Sequence, residues 1–471
     1  MSGLPSSMYR VIALVGLLLG ATASAQQSRP APEPGNDNEA SILGAIQQVC
    51  PQLATYPGRA DDPGSDLNQL FYRCNRLLNA DSIDSGDPLQ ALTGEEVTAA
   101  QSTAIDFSTG QIGVIAARLA GLRAVARGDA FAALEPAGTW TLLGGGAASG
   151  DELAAEGRLG LFVNARFGRG EQDKSLLEAG FDVDTYGGTI GLDYRFTDNF
   201  VAGATVGYGA TEADFDHGGT FDSDGVSGNI FASWYGASWY LDAVVGYGSQ
   251  DHESERRIQY QVTADNPPPG APIVDTIDEI VAGDTDGEIT SAGLSFGYDF
   301  GSGPLRIGPI LAVSYLEIDV DGLSETGSTT GLNLQYADQT AKSLQLQAGI
   351  DVGYAISTSW GVLLPQARVV YVSEEENDQQ VYLVRYAADP CSAAPGVPSG
   401  DPGCSNPATS PSATSFTITS EPPDDSFVRW GLSLSSVFAN GVATYIDYDA
   451  IASYENVDYS ELTIGVRYAF R

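Results

Sequence analysis

The chain has 471 residues and a formal net charge of −39, from 22 Lys+Arg against 61 Asp+Glu. A chain this acidic has no broad basic footprint for a polyanion, which excludes nucleic acid as a partner. The 43% of hydrophobic residues can bury a core, which excludes a disordered chain, and 56 Gly with 22 Tyr suits β-strands joined by tight turns better than a cytosolic enzyme.

Residues 1–25 read as a cleaved signal peptide. Arg10 supplies the positive end, Val11 to Ala23 is an apolar run, and Ala23-Ser24-Ala25 is a small-residue cleavage site. That run falls short of the ~20 apolar residues a membrane-spanning helix needs, and no later segment approaches that length. An exported chain of this kind is expected to be soluble or to cross a membrane with strands. Export also sets the redox compartment. The four cysteines read as disulfides: Cys50 and Cys74 are 24 apart, Cys391 and Cys404 are 13 apart, and local pairing closes short loops, whereas the other pairings join points more than 300 residues apart. With two His and no C-x-x-C, neither a metal site nor any other cofactor is expected.

Residues 26–38 are polar and Pro-bearing and read as a flexible linker. Residues 39–127 read as a helical segment. Ile42, Leu43, Ile46, Val49 and Leu53 recur at helical spacing, as do Leu67, Leu70, Phe71, Cys74, Leu77 and Leu78, so a Cys50–Cys74 bond would clip two helices into a hairpin. Thr93-Gly94-Glu95-Glu96 has the letters of a capping box and is expected to open a third helix reaching Arg127, with Ile112, Ile115, Leu119 and Leu122 as its stripe. Residues 128–157 form a Gly/Ala-rich connector without a period.

From Arg158 the period becomes two. Tyr186, Ile190, Leu192, Tyr194 and Phe196 share one face, against Thr185, Thr189, Asp193 and Arg195; Trp239, Leu241, Ala243, Val245 and Tyr247 oppose Tyr240, Asp242, Val244 and Gly246. Twelve such strands begin near residues 158, 185, 200, 224, 238, 288, 304, 342, 360, 426, 441 and 457. Tight turns at 197–199, 236–237, 301–303, 357–359 and 439–441 alternate with long polar loops, the largest at about 251–287 and 374–424. Phe196, Phe200, Trp234, Trp239, Phe300, Trp360, Phe438 and Phe470 gather beside the tight turns or the chain end. One apolar face, one polar face, short turns on one rim and an aromatic girdle predict an all-β transmembrane barrel of twelve antiparallel strands over 158–471, preceded by a small α-helical region. On this register Arg166, Asp193, Arg195, Asp242, Asp299, Arg306, Asp351, Arg368, Arg429, Asp447 and Arg467 face the lumen, where both signs can pair.

Other constellations are less specific. His217 and His252 have acidic neighbours and are expected on the outer rim as solvated loop residues. Gly293-Leu-Ser295-Phe-Gly297 has the letters of a nucleophile elbow but lies inside a strand. The acidic clusters around Glu212–Asp224, Asp284–Asp286 and Glu374–Asp378 read as a solvated negative rim, with Ca²⁺, Mg²⁺ or cation-bridged lipopolysaccharide as the alternative.

Residues 158–471 resemble the autotransporter β-domain, the translocator of type V secretion. The resemblance rests on Gly160-Leu-Phe-Val-Asn164, the run from Gly180 to Asn199, Val206-Gly-Tyr208, Tyr240-Leu-Asp242, Gly246-Tyr-Gly248 and Arg256-Arg-Ile258. It implies a barrel in the Gram-negative outer membrane, a helix in its pore, and export of what lies upstream. Here Arg471 follows the terminal Phe470, and only about 130 residues lie between the signal and the first strand, in place of a long β-helical passenger. The expected partners are outer-membrane lipid, lipopolysaccharide and the barrel-assembly machinery, with the barrel monomeric. The expected function is a non-enzymatic translocator that displays or retains the helical segment. A structural or adhesive protein acting through acidic loops, and an outer-membrane hydrolase using the histidines, are the alternatives. A disulfide-clipped hairpin argues for retention, since a folded hairpin threads a narrow pore poorly.

Overall fold

The computed structural model describes residues 34–98, 113, 115, 119, 158–264, 273–301, 304–404, 414–438 and 441–470. The signal peptide, most of the linker and the Gly/Ala-rich connector lie outside the described residues.

Three short helices and a strand come first: α1 (Asp37–Thr55), α2 (Asp66–Leu78), β1 (Ala80–Ser85) and α3 (Gln90–Thr93), followed by a 3-10 turn over Glu95–Thr98. Asn36 caps α1 by accepting from the Glu39 N–H at 2.8 Å, while the Glu39 carboxylate accepts from Gly35 N at 2.6 Å. The helix therefore begins inside the expected linker, with Asn38 buried on its first turn. Two expectations for this region are corrected. Residues 80–85 are a strand, not helix, and Thr93 ends a short helix ahead of a 3-10 turn at Glu95–Thr98; most of the expected third helix beyond Thr98 lies outside the described residues. Gly94 sits at φ +68 as the left-handed cap that ends α3, and the Thr93 hydroxyl donates to Gln90 O at 2.6 Å.

The strands that follow are β2 (Leu159–Gln172), β3 (Phe181–Thr197), β4 (Phe200–Phe215), β5 (Thr220–Tyr235), β6 (Trp239–Ala264), β7 (Ile273–Tyr298), β8 (Leu305–Val320), β9 (Leu334–Tyr336), β10 (Gln339–Tyr354), β11 (Ile356–Thr358), β12 (Gly361–Glu374), β13 (Val381–Tyr386), β14 (Ser392–Ala394), β15 (Val397–Pro398), β16 (Ser415–Thr419), β17 (Ser426–Phe438), β18 (Val442–Ala452) and β19 (Val457–Phe470). Twelve of them, β2 to β8, β10, β12 and β17 to β19, pair antiparallel with their neighbours. The ring is closed by β19 against β2, in register from Val457↔Gln172 to Phe470↔Leu159. Closure removes the edges that an open sheet would leave unpaired in lipid.

The outer face is apolar and exposed: Ile190, Ile230 and Val245 are 51%, 71% and 60% accessible, and the other strands carry equivalents. A belt this large is unsuited to water and suited to hydrocarbon. At the short-turn rim aromatic rings pack against one another, including Trp234–Trp239 at 5.6 Å and Trp360–Phe438 at 5.2 Å between centroids. Along β6 the outward side chains are apolar through Tyr247 and then change to Ser249, Asp251, Glu253 and Glu255. The lipid band ends there, but the sheet does not.

Beyond the band the expected loops are structured. The segment 251–287 is largely an extension of β6 and β7, paired from Asp251↔Asp286 up to Ala264↔Ile273. The segment 374–424 carries β13 and β16, which with β9 form a small three-stranded sheet, and the short β14–β15 hairpin. The expected Cys50–Cys74 and Cys391–Cys404 pairs are disulfide-bonded, one joining α1 to α2 and one closing the β14–β15 region.

Candidate functional site

The candidate site is the barrel lumen and the structure that closes its long-loop mouth. The inward parity of each strand brings the eleven lumen charges to the interior wall. Arg467 donates to Asp193 at 3.1 Å, across the closure between β19 and β3. Arg166 pairs with Glu461 at 3.3 Å, and Arg306 with Asp299 at 3.8 Å. Arg368 pairs with Asp447 at 3.2 Å and also with Asp449. Asp242 accepts from Ser233 Oγ at 2.6 Å. Arg195 lies at the short-turn end of β3, and Asp351 and Arg429 line the lumen near Arg368. Glu461 and Asp449 belong to this set but were missed by sequence reading, although their parity on β19 and β18 was available.

Replacing Arg368 by Leu would leave Asp447 and Asp449 without their cation. Asp447 is buried but Arg368 and Asp449 are about a quarter exposed, so only part of the ~3–5 kcal/mol cost of breaking a buried pair applies, and the urea midpoint of barrel unfolding, followed by heat-modifiable mobility on gels, is expected to fall in Arg368→Leu. An unchanged midpoint would mean that the carboxylates find other partners.

Ile115 and Leu119, one helical turn apart, pack inside the barrel against Phe162, Val201, Phe231, Tyr235 and Val244, towards the short-turn half. The rest of the expected pore helix lies outside the described residues. Glu95–Thr98 sits at the opposite mouth, and β2 begins at the short-turn rim. Thr98 at one mouth, Ile115 and Leu119 inside and Leu159 at the other rim are thus the described points of the chain along the lumen.

At the mouth, α1, α2, β1 and α3 form a cap. Its core joins Ile42, Ile46, Val49, Leu53, Leu70 and Leu77 to Ile258, Tyr260 and Val262 of the β6 extension and to Tyr382, Val384, Phe416 and Ile418 of the small sheet. Beneath it lies a polar hub. Arg256, 2% exposed, donates to both Glu325 oxygens at 2.8 and 2.6 Å, to Leu332 O at 2.9 Å and to Ala91 O at 3.2 Å. Glu325 also accepts from Leu334 N at 2.6 Å. Glu95 accepts from Ala179 N at 2.9 Å and Gln90 Nε2 at 2.6 Å, and the Glu96 carboxylate lies 3.3 Å from His217 Nε2. Burial pushes Glu95 up to about 7 and Glu96 up to about 8, raises Glu178 above the usual carboxylate range, and lowers His217.

The outer-rim expectation for the histidines is thus corrected: His217 lies against Glu96 under the cap, and His252 is 1% exposed on the inner side of β6 beside Phe221. They sit in separate surroundings, and Ser295 lies within continuous β7, not at a strand-to-helix elbow. The acidic clusters expected in loops are largely strand residues. Asp184, Glu212, Asp222, Glu253 and Asp284 form one register row across β3 to β7, just beyond the lipid band. Among the described residues no group of His, Cys, Asp and Glu is arranged to hold a metal ion.

This architecture defines a transmembrane β-barrel of twelve strands whose lumen is threaded by its own chain. The family model "Autotransporter beta-domain" matches residues 161–403. The chain belongs to the autotransporter β-domain family, whose fold places the barrel in the Gram-negative outer membrane. It is similar to outer membrane protein B of Rickettsia prowazekii (strain Madrid E), at 25% identity over 327 residues, covering 64% of this chain and 19% of that protein. It is also similar to esterase EstA of Pseudomonas aeruginosa, at 25% identity over 226 residues, covering 46% of this chain and 32% of that one. The chain thus spans about a fifth to a third of the length of these curated relatives. Among solved structures, the translocator domain of autotransporter NalP from Neisseria meningitidis matches with a TM-score of 0.46 and 17% identity, covering 68% of this chain and 95% of that one.

Proposed function

We propose that this protein is a translocator barrel that carries its own N-terminal unit, residues 34–98, through the lumen and holds it on the cell surface. The observation that carries this reading is the path of the chain: cap at the long-loop mouth, Ile115 and Leu119 inside, β2 starting at the short-turn rim. Short turns are periplasmic in outer-membrane barrels, so the long-loop mouth faces outward. The remaining proposals follow from that placement. Residues 1–25 direct export and are removed, the barrel-assembly machinery inserts the strands, and the barrel works as a monomer in outer-membrane lipid. The carboxylate row beyond the lipid band faces the lipopolysaccharide layer. The Cys50–Cys74 bond closes after the segment has passed the lumen, which reconciles a clipped hairpin with a narrow pore.

The test is an epitope tag inserted between Pro30 and Ala31, probed with antibody on intact cells. Labelling without opening the outer membrane is the expected result. Labelling only after the membrane is opened would place the unit in the periplasm and end the display reading.

A further inference from the structure

We propose that the barrel's own long loops are the folding partner of the N-terminal unit, so that cap helices and loops form one cooperative body and the unit stays fixed over the mouth as a permanent gate. The inference rests on the display reading only for its location; the coupling itself concerns contacts within the chain.

The described core of the cap is shared evenly. Fourteen of its buried residues come from positions 42–97 and fourteen from positions 258–418. Neither half is closed without the other. A unit of roughly 65 residues is at the margin for independent folding, and this one turns much of its apolar surface towards the loops. Without it, the sheet β16-β13-β9 would expose Tyr382, Tyr386, Phe416 and Ile418, all 3% accessible or less. Such a patch of aromatic and aliphatic side chains is poorly tolerated in water.

The polar contacts are as specific as the core. Asn38 is clamped on β16: its Nδ2 donates to Thr419 O at 2.9 Å and its Oδ1 accepts from Thr419 N at 2.7 Å. Ser41 Oγ accepts from Thr417 N at 2.8 Å, so α1 lies along β16 with its first turn bonded to the strand backbone. At the other side β1 adds itself to the free edge of the β6 extension, from Ala80↔Ala264 to Ser85↔Gln261. Arg76 of α2 pairs with buried Asp275 of β7 at 2.8 Å. The loop also comes to the helix through a glycine. Gly331, at φ +73, leaves no room for a side chain against the Asp66 carbonyl at the start of α2. The helices α1, α2 and α3 and strand β1 thus each have a partner in the loops, and the partners come from three separate inter-strand connections.

The experiment is hydrogen–deuterium exchange on the full-length protein in mild detergent, comparing the parent with Ile46→Asp in α1 and Val384→Asp in β13. A shared body predicts that each substitution speeds exchange by roughly tenfold or more in both α1–α2 and β13–β16, while the membrane strands keep their protection. If Ile46→Asp loosens only the helices, or Val384→Asp only the small sheet, the unit folds on its own and the proposal is overturned. Should the charged variants lose the barrel as well, Ile46→Ala and Val384→Ala read the same coupling without an added charge. Exchange in detergent is blind to sidedness, so failure here is distinguishable from failure of the surface-tag test.

Discussion

Arg256→Met is expected to open the cap while leaving the barrel folded. The guanidinium donates to both oxygens of Glu325, whose side chain is 4% exposed, and ties it to the carbonyls of Leu332 and Ala91. Methionine keeps the volume but leaves a buried carboxylate without its cation, a loss of about 3–5 kcal/mol. That is comparable to the whole stability of a small domain, ~5–15 kcal/mol. Limited proteolysis should cut the α1–α2 region rapidly in the variant, with the heat-modifiable barrel band unchanged. Removing the partner too, in Arg256→Met with Glu325→Leu, should restore much of the resistance, because a matched apolar pair carries no desolvation penalty. If the single variant resists protease like the parent, the hub contributes little.

The cap should also weaken as pH rises from about 6.5 to 9, and Glu96→Gln should remove most of that slope. Glu96 titrates at about 8 and Glu95 at about 7 in the folded state, against 4.5 as the ordinary value. Between those limits the folded state holds more protons than the unfolded one, so stability falls with rising pH. The stability is fully present below the unfolded value and is lost through the folded one. A shift of this size corresponds to a few kcal/mol, at about 1.4 kcal/mol per pH unit. His217 works in the other direction: burial lowers its value, so it removes stability only as pH falls below the imidazole range. The window above about 6.5 therefore isolates the carboxylates. Glutamine keeps the shape of the neutral acid without its proton. Urea denaturation of the cap at pH 6.5 and 9 should give a large difference in the parent and a much smaller one in Glu96→Gln. Equal slopes would show that Glu96 stays ionised or exposed.

The barrel was legible because its physics repeats. Every membrane strand alternates, and a residue such as Asp193 or Arg467 reveals its side by parity alone. Turn spacing and Trp or Phe at the short rim gave the strand count. The cap was not legible for equally concrete reasons. In β6 the alternation persists past Tyr247, with His252, Arg256, Ile258 and Tyr260 inward. There, however, the outward face turns acidic, and a strand leaving lipid for water looks like a polar loop. Residues 80–85, Ala-Asp-Ser-Ile-Asp-Ser, have no apolar alternation; they are a strand only because β6 offers an edge. The letters of Thr93 to Glu96 fit a helix start, yet Gly94 in the left-handed region closes the short α3 before a 3-10 turn begins at Glu95. The hub of Arg256, Glu325, Glu95 and Glu96 joins segments up to 230 positions apart, since Arg256 and Glu325 meet residues near 95 only in the folded mouth. No local pattern encodes that meeting.

Twelve strands are an even number, so the barrel wall by itself returns the chain to the side where it began. With the N-terminal unit at the surface, as proposed, a single passage down the lumen adds one crossing and makes the total odd. On that placement Pro34 and Phe470 belong to opposite compartments, and only withdrawal of the segment from the lumen would bring them to the same one. On the same placement, a polypeptide spliced ahead of Pro34 would share the unit's outer address and would ride on a support anchored to the wall rather than on a loose tether.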